Sequence, residues 1–579
     1  MIKIVSTEEM RAIEAAADAG GLTYAELFQR AGRAIADRVI QLIAALPDPA
    51  DARVTILVGP GNNGGDGLVT ARMLAAETNA LIRLYLLKPR AEDDELFAPV
   101  RAAGLFVANA DDDQRYRVLI NMVASAQIVV DALFGIGIEL PLRDDASKLM
   151  RSVHQAIHES AVSDDERPIN PADPTMKQAA SRPYVIAADC PSGIDSDSGA
   201  LDKNAMMADE TITFIAPKRG LLSFPGAGYV GQLTVAPLGV PPSIDGLQNA
   251  KHSLIDAEAA RDLLPDRPAD GHKGTFGTAL IIGGSVNYTG APGLAAIAAY
   301  RSGAGLVTVG TPGPVIDALA AHSLETTWLP LAHDMGALSS AAAPLLLREA
   351  ADTDALLLGP GWGREKTTRD LLSALLESRQ TVTKPPQKRG IGFATAATAN
   401  ESTDGGASSA ALPPLVIDAD GLNLLGEITD WAARLPEQTI LTPHPGEMAR
   451  LAGVETAAIQ AERWRYAAEK AAEWRVILVL KGAHTLIADP DGEIAVLPFK
   501  TSALATAGTG DVLAGVITGL VAQGLKPYAA AIAGGYLHGL AGAIAARRLG
   551  SDRSVIASDV LAALPAAWQM LDGSQRAGA

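Results

Sequence analysis

The chain has 579 residues, 48% hydrophobic and 20% charged, which is typical of a globular protein with more than one domain. Its net charge of −18 argues against partners such as nucleic acid or an anionic membrane, which bind broad basic surfaces. A phosphate-rich ligand would therefore have to be held by backbone N–H groups, helix N-termini and a few lysines.

Compartment and membrane signals are sparse. The single cysteine, Cys190, makes an intrachain disulfide impossible and fits a reducing compartment. Residues 1–10 lack the apolar stretch of a signal peptide, and no apolar run approaches the ~20 residues of a membrane span. The most hydrophobic late segment, residues 529–546, is interrupted by glycines and His538 and is interpreted as a buried helix. We therefore expect a cytoplasmic protein without a membrane partner.

The first part of the chain alternates helical patterns with short apolar runs. Ser6 and Glu9 have the spacing of a capping box, and a second helix is predicted over residues 23–43. Most of the apolar runs are continuous, as in a parallel sheet covered on both faces. They are residues 54–58, 82–87, 128–131, 185–189, 211–215 and 233–236. This pattern predicts a doubly wound, Rossmann-like α/β domain over residues 1–250.

A Pro-rich segment at residues 237–243 precedes a second α/β series, so we place the domain boundary at residue 250. The apolar runs of this series are residues 278–282, 306–309, 355–358, 415–418, 439–441 and 476–480. Two helices, over residues 510–521 and 528–549, close a second domain of residues 251–579. Non-periodic stretches at 160–183 and 378–413 are predicted surface insertions, and residues 573–579 a disordered tail.

Three predicted strand ends in the first domain carry glycines and oxygen-bearing side chains. They are GPGNNGGDG at 59–67, VDALFGIG at 130–137 and DCPSG at 189–193. Glycines let a backbone approach a ligand, helix N-termini favour anions, and open α/β sheets bind ligands at this edge. Each segment alone also fits a helix cap or an ordinary turn. Together they favour a ligand site.

These segments resemble those of NAD(P)H-hydrate epimerases, and the similarity covers residues 1–245. The resemblance implies that the damaged cofactor NAD(P)HX is bound by Asn62, Asn63, Gly64, Gly65, Asp66, Gly135, Ile136, Gly137, Ile138, Glu139, Leu140, Pro141 and Asp189. It also implies a potassium ion on Asn63, Asp131 and Ser192, whose oxygen atoms suit a hard cation. Cys190 stands where the family commonly has an aliphatic residue and is interpreted as a small apolar substitute.

Epimerisation at the hydrated ring carbon requires proton transfer. Asp189 is the candidate acid/base because of its position in the DCPSG motif. Lys218, in APKRG at 216–220, is a candidate assistant, and a solvated surface lysine is the equal alternative.

Glycine turns and polar side chains also follow the predicted strands of the second domain. They are HKGTFG at 272–277, YTGAPG at 288–293, GPGWG at 359–363, DADGLN at 418–423, HPGE at 444–447 and KGAHT at 481–485. Each alone is explained by turn chemistry. On that interpretation Asp420 is a helix cap, His444 a satisfied turn histidine and Lys481 a solvated charge.

The strongest local signal is AGTGD at 507–511, which precedes an apolar helix. Glycine N–H groups and the helix dipole can hold a transferring phosphate, and Asp511 can accept the proton of an attacking hydroxyl. An N-cap role for Asp511 is the alternative, and we favour the functional interpretation.

In this order the motifs resemble the ribokinase-like fold and, more closely, NAD(P)HX dehydratases, over residues 253–570. The resemblance implies that NAD(P)HX is contacted by Ala291, Gly361, His444 and Asp511, and the adenine nucleotide by Lys481, Gly482, Ala483, His484, Thr485 and Gly510. It implies phosphorylation of the ring hydroxyl of the S hydrate and then loss of phosphate, with Mg²⁺ on the nucleotide and ADP preferred to ATP. Trp362 and Gly421 replace the more usual Leu and Ala without removing a charged or donor group.

The sequence thus predicts a bifunctional repair enzyme whose ligands are NAD(P)HX and an adenine nucleotide. A ribokinase-type kinase fused to a nucleotide-binding regulator is one alternative, and it would release a stable phosphorylated product. A non-catalytic cofactor-binding protein is the other, although retention of Asp189, Lys481 and Asp511 argues against it. The choice between NADHX and NADPHX, and homo-oligomer formation, stay open.

Overall fold

The computed structural model describes residues 1–162, 182–377 and 412–573. These residues form two compact units, Ile2–Ala250 and Lys251–Ala579, with Met1 grouped in the second. The predicted insertions at 160–183 and 378–413 and the tail at 573–579 lie, apart from their edges, outside the described residues.

The N-terminal unit is built on a parallel sheet. Its α-helices are α1 (Thr7–Ala19), α2 (Tyr24–Ala44), α3 (Asn62–Glu77), α4 (Ala98–Ala102), α5 (Arg117–Ala124), α6 (Asp144–Val162) and α7 (Asp245–Gln248). Its strands are β1 (Ile2–Ile4), β2 (Arg53–Val58), β3 (Leu81–Leu86), β4 (Phe106–Asn109), β5 (Ile128–Ala132), β6 (Tyr184–Ala188), β7 (Glu210–Phe214) and β8 (Gln232–Ala236). The described sheet has seven strands in the order β4-β3-β2-β5-β6-β7-β8, all paired in parallel. The order reverses between β2 and β5, where doubly wound sheets bind ligands.

The continuous apolar runs are explained by cores on both faces of this sheet. Ile56 of β2 packs into one core, and the next residue, Leu57, packs into the other. Each such side chain contributes about 1.5–3 kcal/mol when it is fully buried. The predicted capping box of α1 is confirmed, because Ser6 and Glu9 bond each other's backbone N–H groups.

The C-terminal unit contains a larger, mixed sheet. Its α-helices are α8 (Ala257–Asp262), α9 (Gly290–Arg301), α10 (Gly313–Leu319), α11 (Ala343–Ala350), α12 (Lys366–Glu377), α13 (Asp420–Leu425), α14 (Trp431–Arg434), α15 (Pro445–Ala452), α16 (Thr456–Ala461), α17 (Arg463–Trp474), α18 (Thr509–Ala522), α19 (Pro527–Leu549) and α20 (Ala557–Asp572). Its strands are β9 (His252–Leu254), β10 (Thr278–Ile282), β11 (Leu306–Pro312), β12 (Thr327–Leu331), β13 (His333–Asp334), β14 (Ala337–Leu338), β15 (Ala355–Leu358), β16 (Leu415–Ile417), β17 (Ile440–Leu441), β18 (Ile477–Leu480), β19 (Leu486–Ala488) and β20 (Ile494–Val496). Helices and a mainly parallel sheet confirm the α/β class predicted for this domain.

The strands of this sheet follow the order β9-β20-β19-β18-β17-β16-β15-β10-β11-β12, and β13 pairs with β14 separately. The β18–β19 and β19–β20 pairs are antiparallel, and the other pairs are parallel. The chain order reverses between β10 and β15, so the ends of β15 to β18 lie on one side of this switch point.

The two helices predicted near the end of the chain are α18 and α19, and both are largely buried. Glycines let α18 approach α9 closely, since a Cβ on Gly515 would lie 2.2 Å from the Ala295 carbonyl oxygen. Among the described helices, α19 alone is long and apolar enough to cross a membrane, but 83% of its most apolar window is buried in the structure. The predicted buried helix is therefore confirmed.

Several short strands do not correspond to a predicted apolar run. β4 and β12 are the edge strands of their sheets, and β12 contains Pro330, which interrupts a strand pattern. β19 and β20 have only three residues each. Edge position and shortness both weaken the hydrophobic periodicity on which such a prediction depends.

Candidate active sites

The glycine-rich segment after β2 forms the start of α3, at the switch point of the N-terminal sheet. Its N-cap is Gly61, and no side chain caps the helix, so neither Asn62 nor Asn63 has the capping role of the alternative interpretation. The turn requires glycine, because a Cβ on Gly64 would lie 2.0 Å from the Gly59 carbonyl oxygen. Free N–H groups at this helix start can therefore face a ligand.

The three predicted potassium ligands lie around the end of β5. Asp131 is fully buried and accepts hydrogen bonds from Ser192, at 2.7 Å from Oγ and 2.8 Å from the backbone N. Burial raises the pKa of Asp131, and a nearby cation would lower this pKa by stabilising the carboxylate. Asn63 is 7% exposed, contacts the Gly135 turn and has no partner for Oδ1 or Nδ2 among the described residues. Carboxylate, hydroxyl and an unpartnered carboxamide oxygen fit a hard cation.

Asp189 and Lys218 form a buried ion pair in the same unit. Lys218 is 1% exposed, so it is not the solvated surface lysine of the alternative interpretation. Its Nζ donates to Asp189 Oδ1 and, at 3.2 Å, to Thr213 Oγ1. Burial alone lowers the pKa of Lys218, but the attraction of Asp189, together with smaller contributions from Cys190 and Glu14, outweighs it, and the pKa is raised. The lysine is therefore charged at neutral pH.

Two further carboxyl groups face this pair. Burial, followed by repulsion from Asp189, raises the pKa of Glu14 on α1 and raises the pKa of Asp66 on α3 strongly. Glu14 was not predicted, because only the tertiary placement of α1 brings it to the strand ends. The site therefore groups three carboxyl groups with one lysine, an arrangement suited to holding and moving protons.

The predicted binding segment from Gly135 to Pro141 forms a partly exposed loop after β5. Gly135 lies beside the start of α3, since a Cβ on it would be 3.5 Å from Cβ of Asn63, and a Cβ on Gly137 would lie 3.9 Å from Nη2 of Arg11 on α1. The loop and the start of α3 thus lie side by side, with Asn62, Gly137 and Glu139 exposed to solvent.

In the C-terminal unit, charged side chains from separate strand ends meet. Lys481, after β18, contacts Asp418, after β16, at 2.8 Å, and Glu447 of α15 at 3.7 Å. Asp418 is 1% exposed and also accepts a hydrogen bond from Thr442 at 2.7 Å. Lys481 is 18% exposed and is paired with both carboxylates, which excludes the solvated charge of the alternative interpretation. A Cβ on Gly510 would lie 3.4 Å from its Nζ, so the lysine lies against the start of α18.

Asp511 is the third residue of α18 and does not act as its N-cap. The cap position is Gly508, which has a φ of 90° and provides no side-chain bond. Burial, followed by repulsion from Asp418, raises the pKa of Asp511 to about 7. A carboxyl group with such a pKa can exchange a proton near neutral pH.

The GPGWG turn connects two of the predicted contact residues. A Cβ on Gly361, whose φ is 66°, would lie 3.0 Å from Ala291 Cβ, so these residues adjoin. Asp420 Oδ2 accepts a hydrogen bond from the Gly363 backbone at 2.9 Å and thus holds this turn instead of capping a helix. Trp362 is fully buried behind the turn, and its Nε1 has no partner among the described residues.

His444 is the N-cap of α15. Its Nδ1 accepts from the backbone of Gly446 at 3.0 Å, and its Nε2 lies 3.4 Å from Glu447. His444 therefore has the local hydrogen bonds of a turn histidine, as the alternative interpretation expects. The side chain is still 52% exposed, so a ligand can reach it. Burial, then Lys481, lowers the pKa of His444, which keeps the imidazole neutral.

The KGAHT segment borders a cavity of about 190 Å³, whose other walls are the chain after β20 and the helices α18 and α19. Its lining includes five of the six predicted nucleotide contacts, Lys481, Gly482, Ala483, Thr485 and Gly510. The sixth, His484, has a buried ring whose Nδ1 pairs with the Leu497 carbonyl at 3.1 Å. His484 does not line the cavity.

Arg463 holds this segment in place. From α17 its guanidinium donates to the carbonyl oxygens of Ala483 at 2.6 Å and Leu480 at 3.1 Å. Burial lowers the pKa of Arg463 to about 10, so it stays charged at neutral pH. Sequence reasoning missed this residue, because its partners are backbone atoms that leave no pattern in the sequence.

Comparison with known proteins covers both units. A family model described as NAD(P)H-hydrate dehydratase matches residues 279–383 and 405–565, and one described as YjeF-related protein N-terminus matches residues 24–220. The Bifunctional NAD(P)H-hydrate repair enzyme Nnr of Moorella thermoacetica is 37% identical over 525 residues, 89% of this chain and 87% of that protein. This chain belongs to the bifunctional NAD(P)H-hydrate repair enzyme family.

Other relatives agree with this membership. The repair enzyme of Escherichia coli K12 is 32% identical over 555 residues, 95% of this chain and 90% of that protein. Among solved structures, an ADP/ATP-dependent NAD(P)H-hydrate dehydratase from Bacillus subtilis, co-crystallized with ATP/Mg²⁺, is 30% identical. That match covers 55% of this chain and 97% of the other, with a TM-score of 0.42.

Proposed function

We propose that this chain repairs hydrated nicotinamide cofactors. The unit Ile2–Ala250 interconverts R- and S-NAD(P)HX, and the unit Lys251–Ala579 dehydrates the S epimer at the expense of an adenine nucleotide. The observation that carries the proposal is family membership across both units, each with a buried, charged strand-end cluster.

We propose that epimerisation breaks and re-forms the bond between the ring carbon and its hydroxyl. The hydrated carbon is bonded to the ring nitrogen, whose lone pair forms a C=N bond as the protonated hydroxyl leaves as water. Water then adds to the other face and loses a proton. We assign this proton transfer to Asp189, with Lys218 holding it in place and stabilising its charge.

Potassium is proposed at Asn63, Asp131 and Ser192. The unpartnered carboxamide of Asn63 and the buried carboxylate of Asp131 support this assignment. The ion would supply positive charge that neutralises Asp131 and fixes the loops carrying the predicted contacts Asn62 to Asp66 and Gly135 to Pro141.

Dehydration by phosphoryl transfer turns a poor leaving group, hydroxide, into a good one, phosphate. We propose that Asp511 accepts the proton of the ring hydroxyl as this oxygen attacks the terminal phosphorus of the nucleotide. Lys481 and the N-terminus of α18 hold the transferring phosphoryl group. The C–O bond then breaks with its electron pair going to the departing phosphate, and the neighbouring ring carbon loses a proton to water as the C=C bond forms, which restores NAD(P)H. From ADP the other product is AMP.

Mg²⁺ is proposed to enter with the nucleotide, neutralising its phosphates. The described residues contain no group of three or more His, Cys, Asp or Glu that could hold a metal ion. This fits an ion held largely by phosphate oxygens and water. We further propose ADP as the preferred nucleotide and a cytoplasmic location, where reducing conditions suit the single buried thiol.

The proposal is tested by recovery of NAD(P)H from a mixed R/S hydrate sample, followed by absorbance. With purified protein, K⁺, Mg²⁺ and ADP or ATP, we expect complete recovery, faster than spontaneous epimerisation allows. Recovery of the S portion alone would refute the epimerase assignment. A stable phosphorylated product without NAD(P)H would support the kinase alternative instead.

The rate of dehydration is expected to fall as the pH decreases through about 7, because Asp511 acts as a base only when ionised and its pKa is raised to about 7. Replacing Asp420 by Asn removes one of the negative charges that raise this pKa, and Asn can still accept from Gly363. In Asp420→Asn, the fall in the dehydration rate with decreasing pH should therefore occur at a lower pH than in the wild-type protein. Initial rates with purified S hydrate, measured across this pH range, check the shift. The same pH dependence in the wild-type protein and in Asp420→Asn would contradict it.

A further inference from the structure

Arg90, in the chain between β3 and α4, lies against the glycine turn that joins β2 to α3. Its Nη2 donates to the carbonyl oxygens of Gly59 and Gly61, each at 3.1 Å. A Cβ on Gly64 would lie 2.9 Å from the same nitrogen, so the guanidinium also lies against the first turn of α3. The Arg90 side chain is 12% exposed, and it therefore supports this turn from within the fold.

Asp94 holds the guanidinium in this position. Its carboxylate accepts from Nη1 of Arg90 at 2.9 Å and from the backbone N–H groups of Leu96 and Phe97 at 2.9 and 3.1 Å. Phe97 is buried in the core of the N-terminal unit. Arg90 therefore links the packed start of α4 to the glycine turn. Both N–H groups of its Nη2 are used by the turn, so this nitrogen does not bind a ligand.

The bond to Gly61 fixes the direction of one backbone N–H group. The Gly61 carbonyl and the Asn62 N–H belong to one peptide group, which is planar and trans, so they point in opposite directions. With its oxygen held by Arg90, this peptide directs the Asn62 N–H away from Arg90. Asn62 is exposed at the start of α3, and its N–H makes no hydrogen bond among the described residues. A cation on the carbonyl oxygen also polarises the peptide and strengthens this donor.

An exposed N–H group at a helix start favours an anion, and NAD(P)HX carries its negative charge on phosphates. We propose that Arg90 is a positioning residue of the epimerase site, which directs the Asn62 N–H at a phosphate group of NAD(P)HX without contacting the ligand. The inference rests on the proposed epimerase function and names the residue that orients its phosphate-binding turn. Arg463 makes the same kind of contact in the C-terminal unit, with the carbonyl oxygens of Ala483 and Leu480.

Epimerase kinetics without nucleotide test this, because the dehydratase is then silent. Conversion of purified R hydrate to the S epimer, separated by chromatography and corrected for the spontaneous rate, gives kcat and KM. Arg90→Met should raise KM about 10-fold, the contribution of one charge-assisted hydrogen bond, and leave kcat within about a factor of two. Arg90→Lys, which keeps a charged donor without the planar fork, should have an intermediate KM.

Proline at residue 62 isolates the N–H group itself. Asn62→Pro removes the N–H at the first helical position, where proline is well accommodated, and Asn62→Ala removes the same side chain but keeps the N–H. Asn62→Pro should therefore have a KM about 10-fold above that of Asn62→Ala. Arg90→Met should raise KM again in the Asn62→Ala protein and change it little in the Asn62→Pro protein. A purely structural role of Arg90 would change KM by the same factor in both.

Arg83→Met is the matched control. Arg83 is 8% exposed and also donates to a backbone carbonyl, that of Met122 at 2.8 Å. Met122 lies on α5 shortly before β5 begins, at the edge of the sheet opposite the site. Arg83→Met should lose stability in thermal unfolding and keep the wild-type KM.

Two results would overturn this inference and leave the proposed function intact. One is the wild-type KM in a folded Arg90→Met protein, and the other is an equal effect of Arg90→Met in the two proteins changed at residue 62. A wild-type protein that does not epimerise the hydrate would instead refute the proposed function, and this inference with it.

Discussion

Replacing Asp511 by Asn is expected to lower the rate of dehydration by at least about 10²-fold, the contribution of a well-placed general base. Asn has nearly the same shape but cannot accept the proton of the ring hydroxyl. Nucleotide binding should change little, because Lys481 and the start of α18 are unaffected. NAD(P)H formation from purified S hydrate, beside ADP affinity, measures both quantities.

A merely structural role for Asp511 predicts a different result. Burial raises the pKa of Asp511 from its usual value of 3.8 to about 7, so the folded protein loses stability as the pH rises between these two values, and the loss is complete above about 7. Asp511→Asn should therefore unfold no more easily than wild type at pH 8. Asp559 has the same third position in α20, where it caps Ile556 at 3.0 Å, so Asp559→Asn is the matched control. Asp559→Asn should lose some stability and keep its dehydratase activity. Dehydration at the wild-type rate by Asp511→Asn would exclude Asp511 as the base.

The double variant Asp189→Asn/Lys218→Met is expected to lose epimerase activity and keep dehydratase activity. Either single change would leave an unpaired buried charge, at a cost of about 3–5 kcal/mol, whereas the double change removes both charges together. With a mixed hydrate sample, the S portion should be recovered at the wild-type rate. The R portion should follow only as fast as it epimerises spontaneously. The two phases of NAD(P)H formation report both sites in one experiment.

A second ion pair of the same unit, in which the carboxylate is buried and the arginine is 32% exposed, provides the control. Arg38 contacts Glu210 at 2.7 Å, and Glu210 begins β7, at the sheet edge opposite the strand ends of the site. Arg38→Met/Glu210→Gln should therefore match the first double variant in lost charge and retain fast recovery of both portions. If the Asp189/Lys218 variant also recovers the R portion quickly, this pair is not the acid/base of the epimerase.

Much of both folds could be predicted because parallel sheets bury strands on both faces, and continuous apolar runs such as residues 54–58 are visible in any one sequence. The strand-end motifs were equally visible, since glycines and carboxylates follow such runs directly. The pairing of Asp418 with Lys481 was not visible in the sequence, because 62 residues lie between them in the chain. Only the register of β16 to β18 brings them together.

The residues that were missed act from helices. Glu14 on α1 and Arg463 on α17 have ordinary helical contexts, and no glycine turn marks them. Whether Lys218 is a surface charge or a buried base partner is likewise decided by packing, which a local pattern does not contain. A single sequence thus indicates the strand-end part of such a site well and the helical part poorly.

Labelling of the Cys190 thiol can report on the N-terminal unit alone within the full-length protein. Cys190 is the only thiol of the chain, it is 1% exposed beside Asp189, and burial raises its pKa far above the usual range. A thiol reagent can therefore react only when this part of the fold opens. The rate of labelling gives the opening free energy around Asp189 in the intact chain, and its slowing by added NAD(P)HX gives the affinity of the epimerase site without any turnover.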